Sequence, residues 1–136
     1  MSEIIFVNCD GGSRGNPGPA AIGVVIRDIK RNKLEGYKEY IGNTTNNVAE
    51  YKALIKALEL AAKYTTYVVY VYMDSELVIK QMKGEYKVKA KHLYPLYQEV
   101  KKLEQYFTRV VYNHVARSIK YQSEADRLVN DALDNI

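Results

Sequence analysis

The run YVVYVYM at residues 67–73 is the feature that most constrains the fold of this chain. Its β-branched and aromatic side chains predict a strand, and because both alternating sets of positions are apolar, we expect a central strand covered on both faces. Tyr51, Leu54 and Leu58 precede it at helical spacing and predict a crossover helix over 47–63. A crossover of this kind predicts that strand 67–73 runs parallel to the first strand.

Apolar periodicity also predicts the remaining elements. Four more strands are expected, over 3–9, 20–28, 34–41 and 107–115. Three more helices are expected, over 75–83, over 93–105 and from about Asp126 to the C-terminus. The first three strands read as an antiparallel meander. The order β-β-β-α-β-α-α-β-α predicts an α/β fold with a five-stranded mixed sheet flanked by helices.

Length and composition limit the possible classes of protein. The 136 residues fit a single domain spanning 1–136, and no apolar run is long enough to cross a membrane. Cys9 is the single cysteine, so no internal disulfide is possible, and we expect a buried thiol in a cytoplasmic protein. The net charge of +4 permits a polyanionic partner without requiring one.

Four acidic residues lie at ends of predicted elements. Asp10 ends the first strand and Asp74 the central one, while Glu50 lies in the first turn of a helix and Asp126 begins the last helix. Parallel neighbouring strands would bring Asp10 and Asp74 side by side at the sheet edge where ligands bind. Two close carboxylates repel each other, and a divalent cation relieves that conflict. Oxygen ligands without clustered histidine or cysteine favour Mg²⁺ or Mn²⁺ over zinc.

Each acid also has a purely structural interpretation when it is taken alone. Asp74 could cap the helix that follows it, and Glu50 could favour the dipole of its helix. Asp126 could be an ordinary surface acid. The metal-site hypothesis depends on the four acids together, with a glycine-rich segment next to Asp10.

Four ordered sequence blocks then indicate a family. They are DGGSRGNPGPAAIG at 10–23, TTNNVAEYKALIKAL at 44–58, YMDSELVIKQMKGE at 72–85 and EADRLVNDAL at 124–133. With them the chain resembles the type 1 ribonucleases H nearly end to end, in the short form typical of archaea. The resemblance implies a ribonuclease H-like fold and hydrolysis of the RNA strand of RNA–DNA hybrids, leaving 5′-phosphate and 3′-hydroxyl ends.

The resemblance also implies roles for the four acids. They match the family's catalytic carboxylates, which hold two Mg²⁺ or Mn²⁺ ions. Asp10 would bridge both ions, and Asp126 would help to hold the ion that activates water. Glu50 and Asp74 would hold the ion facing the leaving 3′-oxygen.

Substrate contacts are implied for residues that surround these acids. The backbone of Gly11, Gly12 and Ser13 would lie beside a ribose, and the side chains of Asn16 and Asn46 at the minor groove. Thr45 would grip a DNA phosphate, with Asn47 beside the DNA strand. The remaining expected contacts are Arg14, Ser75, Glu76, Lys87, Lys89 and Lys91. Turn formation and helix capping are the alternatives for Asn16 and for residues 44–47.

The chain departs from the family pattern in three places. The loop 84–95 replaces a long basic insertion, so that its lysines are either a reduced phosphate-binding strip or a solvated loop. Arg117 stands where a catalytic helper is expected, whereas His114 lies within the last strand and is assigned no such role. Glu76 replaces a common glutamine, which leaves double-stranded RNA open as a further substrate.

Other functions remain as alternatives to a hybrid-cleaving enzyme. The same scaffold can serve a non-catalytic hybrid- or RNA-binding protein, or a nuclease acting on double-stranded RNA or structured DNA. A nucleotide-binding loop is disfavoured, because GSRGNPG precedes a strand and the sequence GK[ST] is missing. We expect a monomer that does not interact with membranes.

Overall fold

Five strands form one mixed sheet in the computed structural model, which describes residues 3–136. The strands are β1 (Ile4–Ser13), β2 (Gly18–Arg27), β3 (Lys33–Thr44), β4 (Val68–Met73) and β5 (Arg109–His114). The helices are α1 (Asn46–Ala61), α2 (Glu76–Met82), α3 (Tyr94–Glu104) and α4 (Lys120–Asp134). The predicted order of elements is therefore confirmed.

The sheet has the spatial order β3-β2-β1-β4-β5. The strands β1, β2 and β3 pair antiparallel, as the meander predicted. β4 pairs parallel to β1 on one side and to β5 on the other, which confirms the crossover through α1.

The main core lies between the sheet and helix α1. Every fourth residue on one side of α1 is a buried alanine: Ala49, Ala53, Ala57 and Ala61. Because alanine side chains are small, the helix backbone packs close to β1 and β2. This close packing later determines where the acid of α1 lies.

The prediction that β4 is covered on both faces is wrong. Val69, Val71 and Met73 are fully buried toward the main core, whereas the alternate residues Tyr70 and Tyr72 are only partly buried. The physical reason is the reach of α4, which packs on the opposite face against β1, β2 and β3 but not over β4. The aromatic side chains of β4 therefore line a partly open surface.

Helix α4 begins about six residues earlier than the sequence predicted. Gln122 in its first turns is fully buried, accepting a hydrogen bond from the Asn8 side chain at 3.0 Å and donating one to the Cys9 carbonyl at 2.9 Å. These polar contacts fix the start of the helix to β1. The first turns of the helix show no apolar stripe in the sequence, which is why the prediction missed them. None of the helices within residues 3–136 combines the length and apolarity needed to cross a bilayer.

Candidate active site

Asp10 lies where β1 loses one of its two neighbouring strands. The pairing of β1 with β4 ends at Asn8 and Tyr72, whereas its pairing with β2 continues to Ser13. Asp10 is thus inside a strand, and the expectation that it ends β1 is wrong. The strand continues because β2 runs antiparallel beside it, so that the turn starts only after Ser13.

Three carboxylates from three elements meet at this point. Asp10 of β1, Glu50 of α1 and Asp74, which directly follows β4, each offer an oxygen, and these oxygens all lie within 4.8 Å of one another. Asp10 is 2% exposed and Glu50 is 5% exposed. The cluster is therefore largely removed from water.

Glu50 reaches the cluster from the second turn of α1. It is the fifth helical residue, so the expectation that it lies in the first turn is wrong, because the helix starts at Asn46. Its Oε1 accepts a hydrogen bond of 2.6 Å from the backbone N–H of Gly11. A Cβ atom at Gly11 would stand only 2.1 Å from the carbonyl oxygen of Ala49. The missing side chain of Gly11 therefore allows α1 to come close enough for this bond.

The cluster is electrostatically unfavourable for three ionised carboxylates. Burial, followed by repulsion from Glu50 and Asp74, raises the pKa of Asp10 to about 10. Burial is also the main cause that raises the pKa of Glu50 to about 7, although the Gly11 hydrogen bond opposes it. Oδ1 of Asp10 and Oδ1 of Asp74 are buried without a hydrogen-bond partner among the described residues. Clustered oxygen ligands that lack partners fit a hard divalent cation.

Arg117 joins Asp74 to the fourth acid. Its Nε donates a hydrogen bond of 2.9 Å to Oδ2 of Asp74 and lies 3.6 Å from Oδ1 of Asp126. Asp126 is the seventh residue of α4, so the expectation that it begins the helix is wrong, for the reason given above. It stands at the rim of the site, with its side chain 27% exposed, outside the cluster of three.

Asn130 is a contact of this site that the sequence interpretation missed. One helical turn after Asp126, its amide donates to the Asp126 backbone carbonyl at 3.2 Å and lies 3.4 Å from Oδ2 of the same residue. Arg14 approaches Asn130 at 3.5 Å and forms an ion pair with Asp134 at 2.6 Å. The spacing of four residues after Asp126 was the only sequence signal for this contact.

A cavity of about 280 Å³ opens beside these groups, between the end of β1, the start of α1 and α4. Its wall includes Asp10, Asp126 and Arg117, together with the expected binding residues Gly12, Ser13, Arg14 and Asn46. The structure therefore brings Asp10, Asp126 and part of the expected binding set to one cleft, next to Glu50 and Asp74.

The asparagines of the expected binding set also hold the cleft together. The Asn46 side chain accepts a hydrogen bond of 3.3 Å from the N–H of Ser13, and the Asn46 backbone donates one of 2.9 Å to the Asn16 side chain. Thr45 caps α1 by accepting from the N–H of Val48. Asn47 is exposed in the first turn. These bonds use side-chain oxygens, so the amide N–H groups of both asparagines are not engaged by them.

Ser75 and Glu76 follow Asp74 at the start of α2. The cap of α2 is Ser75, whose hydroxyl accepts from the N–H of Val78, so the alternative that Asp74 caps this helix is wrong. Glu76 accepts a hydrogen bond of 3.0 Å from the Tyr86 hydroxyl. His114 lies within β5, as expected, at the last position of the strand, with its Nε2 3.3 Å from the Asp74 carbonyl oxygen.

The three lysines of the loop after α2 do not reach the cluster. Lys87, Lys89 and Lys91 are exposed on a segment without helix or strand. Lys87 and Lys89 line a shallow groove with Leu77 and Tyr86, on the side of α2.

Comparisons with known proteins place this chain in a family. A family profile described as "Reverse transcriptase-like" matches residues 8–132. The solved ribonuclease H1 of the halophilic archaeon Halobacterium salinarum is 37% identical, with a TM-score of 0.92, over 98% of this chain and 99% of that one. The chain belongs to the type 1 ribonuclease H family. A ribonuclease H1 solved in complex with an RNA/DNA hybrid is 46% identical, with a TM-score of 0.88, over 96% of this chain and 97% of that one.

A longer relative shows that this fold also occurs within larger proteins. A bifunctional protein of Mycobacterium tuberculosis is 44% identical over 131 residues, which is 96% of this chain. The chain spans only about a third of that relative's length, 35%.

Proposed function

We propose that this protein is an endonuclease that hydrolyses the RNA strand of RNA–DNA hybrids with two divalent cations, leaving 5′-phosphate and 3′-hydroxyl ends. The single observation that carries the proposal is the meeting of Asp10, Glu50 and Asp74, from three separate elements, within 4.8 Å in a buried pocket. A related ribonuclease H1 has been solved with an RNA/DNA hybrid, which supports the choice of substrate.

Four carboxylates would hold the ions. Asp10, which faces both Glu50 and Asp74 in the buried cluster, would be the central ligand, and Glu50, Asp74 and Asp126 would complete the set. When bound, Mg²⁺ or Mn²⁺ supplies Lewis acidity and a nucleophile from water at neutral pH. Neutralisation by the ions would keep Asp10 ionised despite its burial.

Residues around the acids would position the hybrid. The cleft wall at Ser13 and Asn46 offers backbone and amide groups, which suit recognition of a ribose 2′-hydroxyl, the group that distinguishes RNA from DNA. Arg117 is 67% exposed and holds its guanidinium at Asp74 and Asp126. A cation at this place can stabilise the negative charge that develops on the phosphate during hydrolysis.

A cleavage assay with three substrates tests the proposal. Labelled RNA–DNA hybrid, double-stranded RNA and double-stranded DNA are incubated with Mg²⁺, with Mn²⁺ or with EDTA. We expect metal-dependent cleavage of the RNA in the hybrid, and end analysis should find 5′-phosphates. Cleavage should disappear in Asp10→Asn and persist in Glu99→Gln, which removes a charge from an exposed acid of α3.

The other outcomes of this assay discriminate the alternatives. Hybrid binding without metal-dependent cleavage would refute the proposal in favour of a binding protein. Equal cleavage by Asp10→Asn would show that the cluster is not the active site. Cleavage of double-stranded RNA by the same protein would broaden its substrate class, with Glu76 as the first residue to exchange.

A further inference from the structure

The sheet leaves one surface uncovered beside the active-site cleft. We call it the open face, and its residues are Phe6 of β1, Tyr70 and Tyr72 of β4, and Val111 of β5, with Arg31 and Arg109 at its margins. Helix α4 packs on the same side of the sheet, mainly over β1, β2 and β3. All four central residues of the open face remain partly exposed.

The open face is an aromatic surface flanked by arginines. The ring centroids of Phe6 and Tyr70 lie 5.5 Å apart, and those of Phe6 and Tyr72 lie 6.3 Å apart. The Arg31 guanidinium lies 3.9 Å from the centre of the Phe6 ring, and Arg31 is exposed. By strand alternation, Arg109 projects from the same face, because it pairs with Val68 in the register of β4 and β5.

The acidic side chains near the open face already form ion pairs or hydrogen bonds with other residues. From the amino ends of β1, β4 and β5 up to Asn8 and Tyr72, no residue that alternation places on this face is acidic. Glu124 on α4 pairs with Arg27 and Lys33, and the Asp28 carboxylate accepts hydrogen bonds from turn N–H groups. The charge of the open face therefore complements an anionic partner.

The strands of the open face point toward the cleft, and Ile119 and Tyr121 border the open face at Tyr72. Asp10 and Asp74 continue the same alternate positions of β1 and β4 that carry Phe6 and Tyr72. At the usual rise of a strand, Tyr72 is about 7 Å and Tyr70 about 13 Å along the strand from Asp74. A nucleic acid strand that leaves the carboxylates on this side, past Ile119 and Tyr121, would meet Tyr72 before Tyr70.

We propose that the open face binds single-stranded nucleic acid, with bases stacked on Tyr70 and Tyr72 and phosphates at Arg31 and Arg109. Partly exposed aromatic side chains on a sheet, together with cations, are the common means of binding single strands, because every base has a face that stacks. The inference deepens the proposed function, on which it rests for the direction of the strand; binding itself can be tested without cleavage.

The sequence provides a clean spectroscopic test, since it contains no tryptophan. Tyr70→Trp places a single reporter on the open face, and Tyr40→Trp places one on β3, at the opposite edge of the sheet, where Tyr40 is 43% exposed. Titration in EDTA with a 12-nucleotide single strand, either oligo(U) RNA or oligo(dU) DNA, should quench the fluorescence of the first reporter and leave that of the second unchanged. Equal quenching of both reporters, or of neither, would overturn the proposal.

Affinities measured by fluorescence anisotropy of the labelled oligonucleotides provide the second test. We expect Tyr70→Leu to raise Kd about tenfold, because one stacking ring is lost. Arg31→Ala should reduce the slope of log Kd against log salt concentration by about one, the value expected for one lost phosphate contact. Tyr40→Leu serves as the control. Circular dichroism melts verify that each variant is folded, and Tyr72→Leu replaces Tyr70→Leu if the latter is not.

Two further outcomes separate this proposal from its competitors. If the protein forms a dimer in sedimentation that Tyr70→Leu dissociates, a second copy of the chain covers the open face and the proposal is wrong. In the cleavage assay, hybrids with a single-stranded RNA tail should show a lower KM than blunt hybrids. Tyr70→Leu should abolish this difference while kcat on blunt hybrid stays unchanged; a tail effect that survives the substitution would overturn the proposal.

Discussion

In the metal-free protein, Asp10→Asn should be more stable than the wild type, and this difference should grow as the pH rises. The pKa of Asp10 is raised to about 10 from 3.8 by burial and by the neighbouring carboxylates. A carboxyl group with a raised folded-state pKa contributes stability below its unfolded pKa, and this contribution is lost as the pH rises through the folded-state pKa. The metal-free wild type should therefore lose stability between about pH 4 and pH 10, whereas Asp10→Asn mimics the protonated form at every pH.

The size of the effect follows from the two pKa values of Asp10. Between pH 5 and pH 8 the unfolded chain has released this proton while the folded protein retains it. Each pH unit in that window changes the free energy of unfolding by about 1.4 kcal/mol, so three units give about 4 kcal/mol. That is a large part of the 5 to 15 kcal/mol that is typical of a domain, so the change is easy to measure. Glu50, with a pKa of about 7, contributes in the same direction at the lower end of this window.

Urea unfolding in EDTA at pH 5, 6.5 and 8, followed by circular dichroism, measures this effect. The gain in unfolding free energy of Asp10→Asn over the wild type should grow by about 4 kcal/mol from pH 5 to pH 8. Glu99→Gln, an exposed carboxylate elsewhere, should show no such growth. Excess Mg²⁺ should reduce the pH slope of the wild type, because the ion binds the ionised cluster. A gain for Asp10→Asn that is independent of pH would refute the reasoning.

Three other substitutions test the supports of the site. Gly11→Ala should destabilise the protein by more than about 2 kcal/mol, because the new methyl group would collide with a carbonyl oxygen of α1. Gly12→Ala is the control, since its methyl group would meet only ordinary contacts, and thermal melts compare the two variants. Gln122→Leu should lower the free energy of unfolding by about 1 to 3 kcal/mol for each of its two buried partners on β1, because both lose their hydrogen bond. Chemical denaturation measures this loss, and an unchanged free energy would show that water replaces the amide. Arg117→Ala should lower turnover of the hybrid at least tenfold with substrate binding nearly intact, and Arg127→Ala is its exposed control; unchanged turnover would remove Arg117 from the mechanism.

The proximity of Asp10 and Asp74 could be predicted from the sequence because strand periodicity and direction determine their place. Once β1 and β4 are expected to be parallel neighbours, Asp10 and Asp74 must emerge at the same edge of the sheet, and the structure has them there. The glycines after Asp10 misled the prediction of the strand end, since glycine is depleted in strands. In the structure, the lack of a side chain at Gly11 serves helix packing within a continuing strand.

The start of α4 and the position of Asp126 could not be predicted from an apolar pattern. The helix begins in a polar segment, where the buried hydrogen bonds of Gln122 to Asn8 and Cys9 replace apolar burial. A buried glutamine is recognised only when its partners on another strand are known. The role of Asn130 beside Asp126 depends on the same helix and was missed for the same reason.

The extent of α4 determines both the rim of the cleft and the open face. Because Gln122 anchors the helix over β1, Asp126 is carried to the cleft one turn later, within reach of Arg117. The same anchoring keeps the helix over β1, β2 and β3, so that Tyr70 and Tyr72 of β4 stay partly exposed. A helix shifted toward β4 would bury these tyrosines and would also displace Asp126 from Arg117. The position of Asp126 and the exposure of the open face therefore both depend on where α4 lies on the sheet. Substitutions of Gln122 should perturb both together.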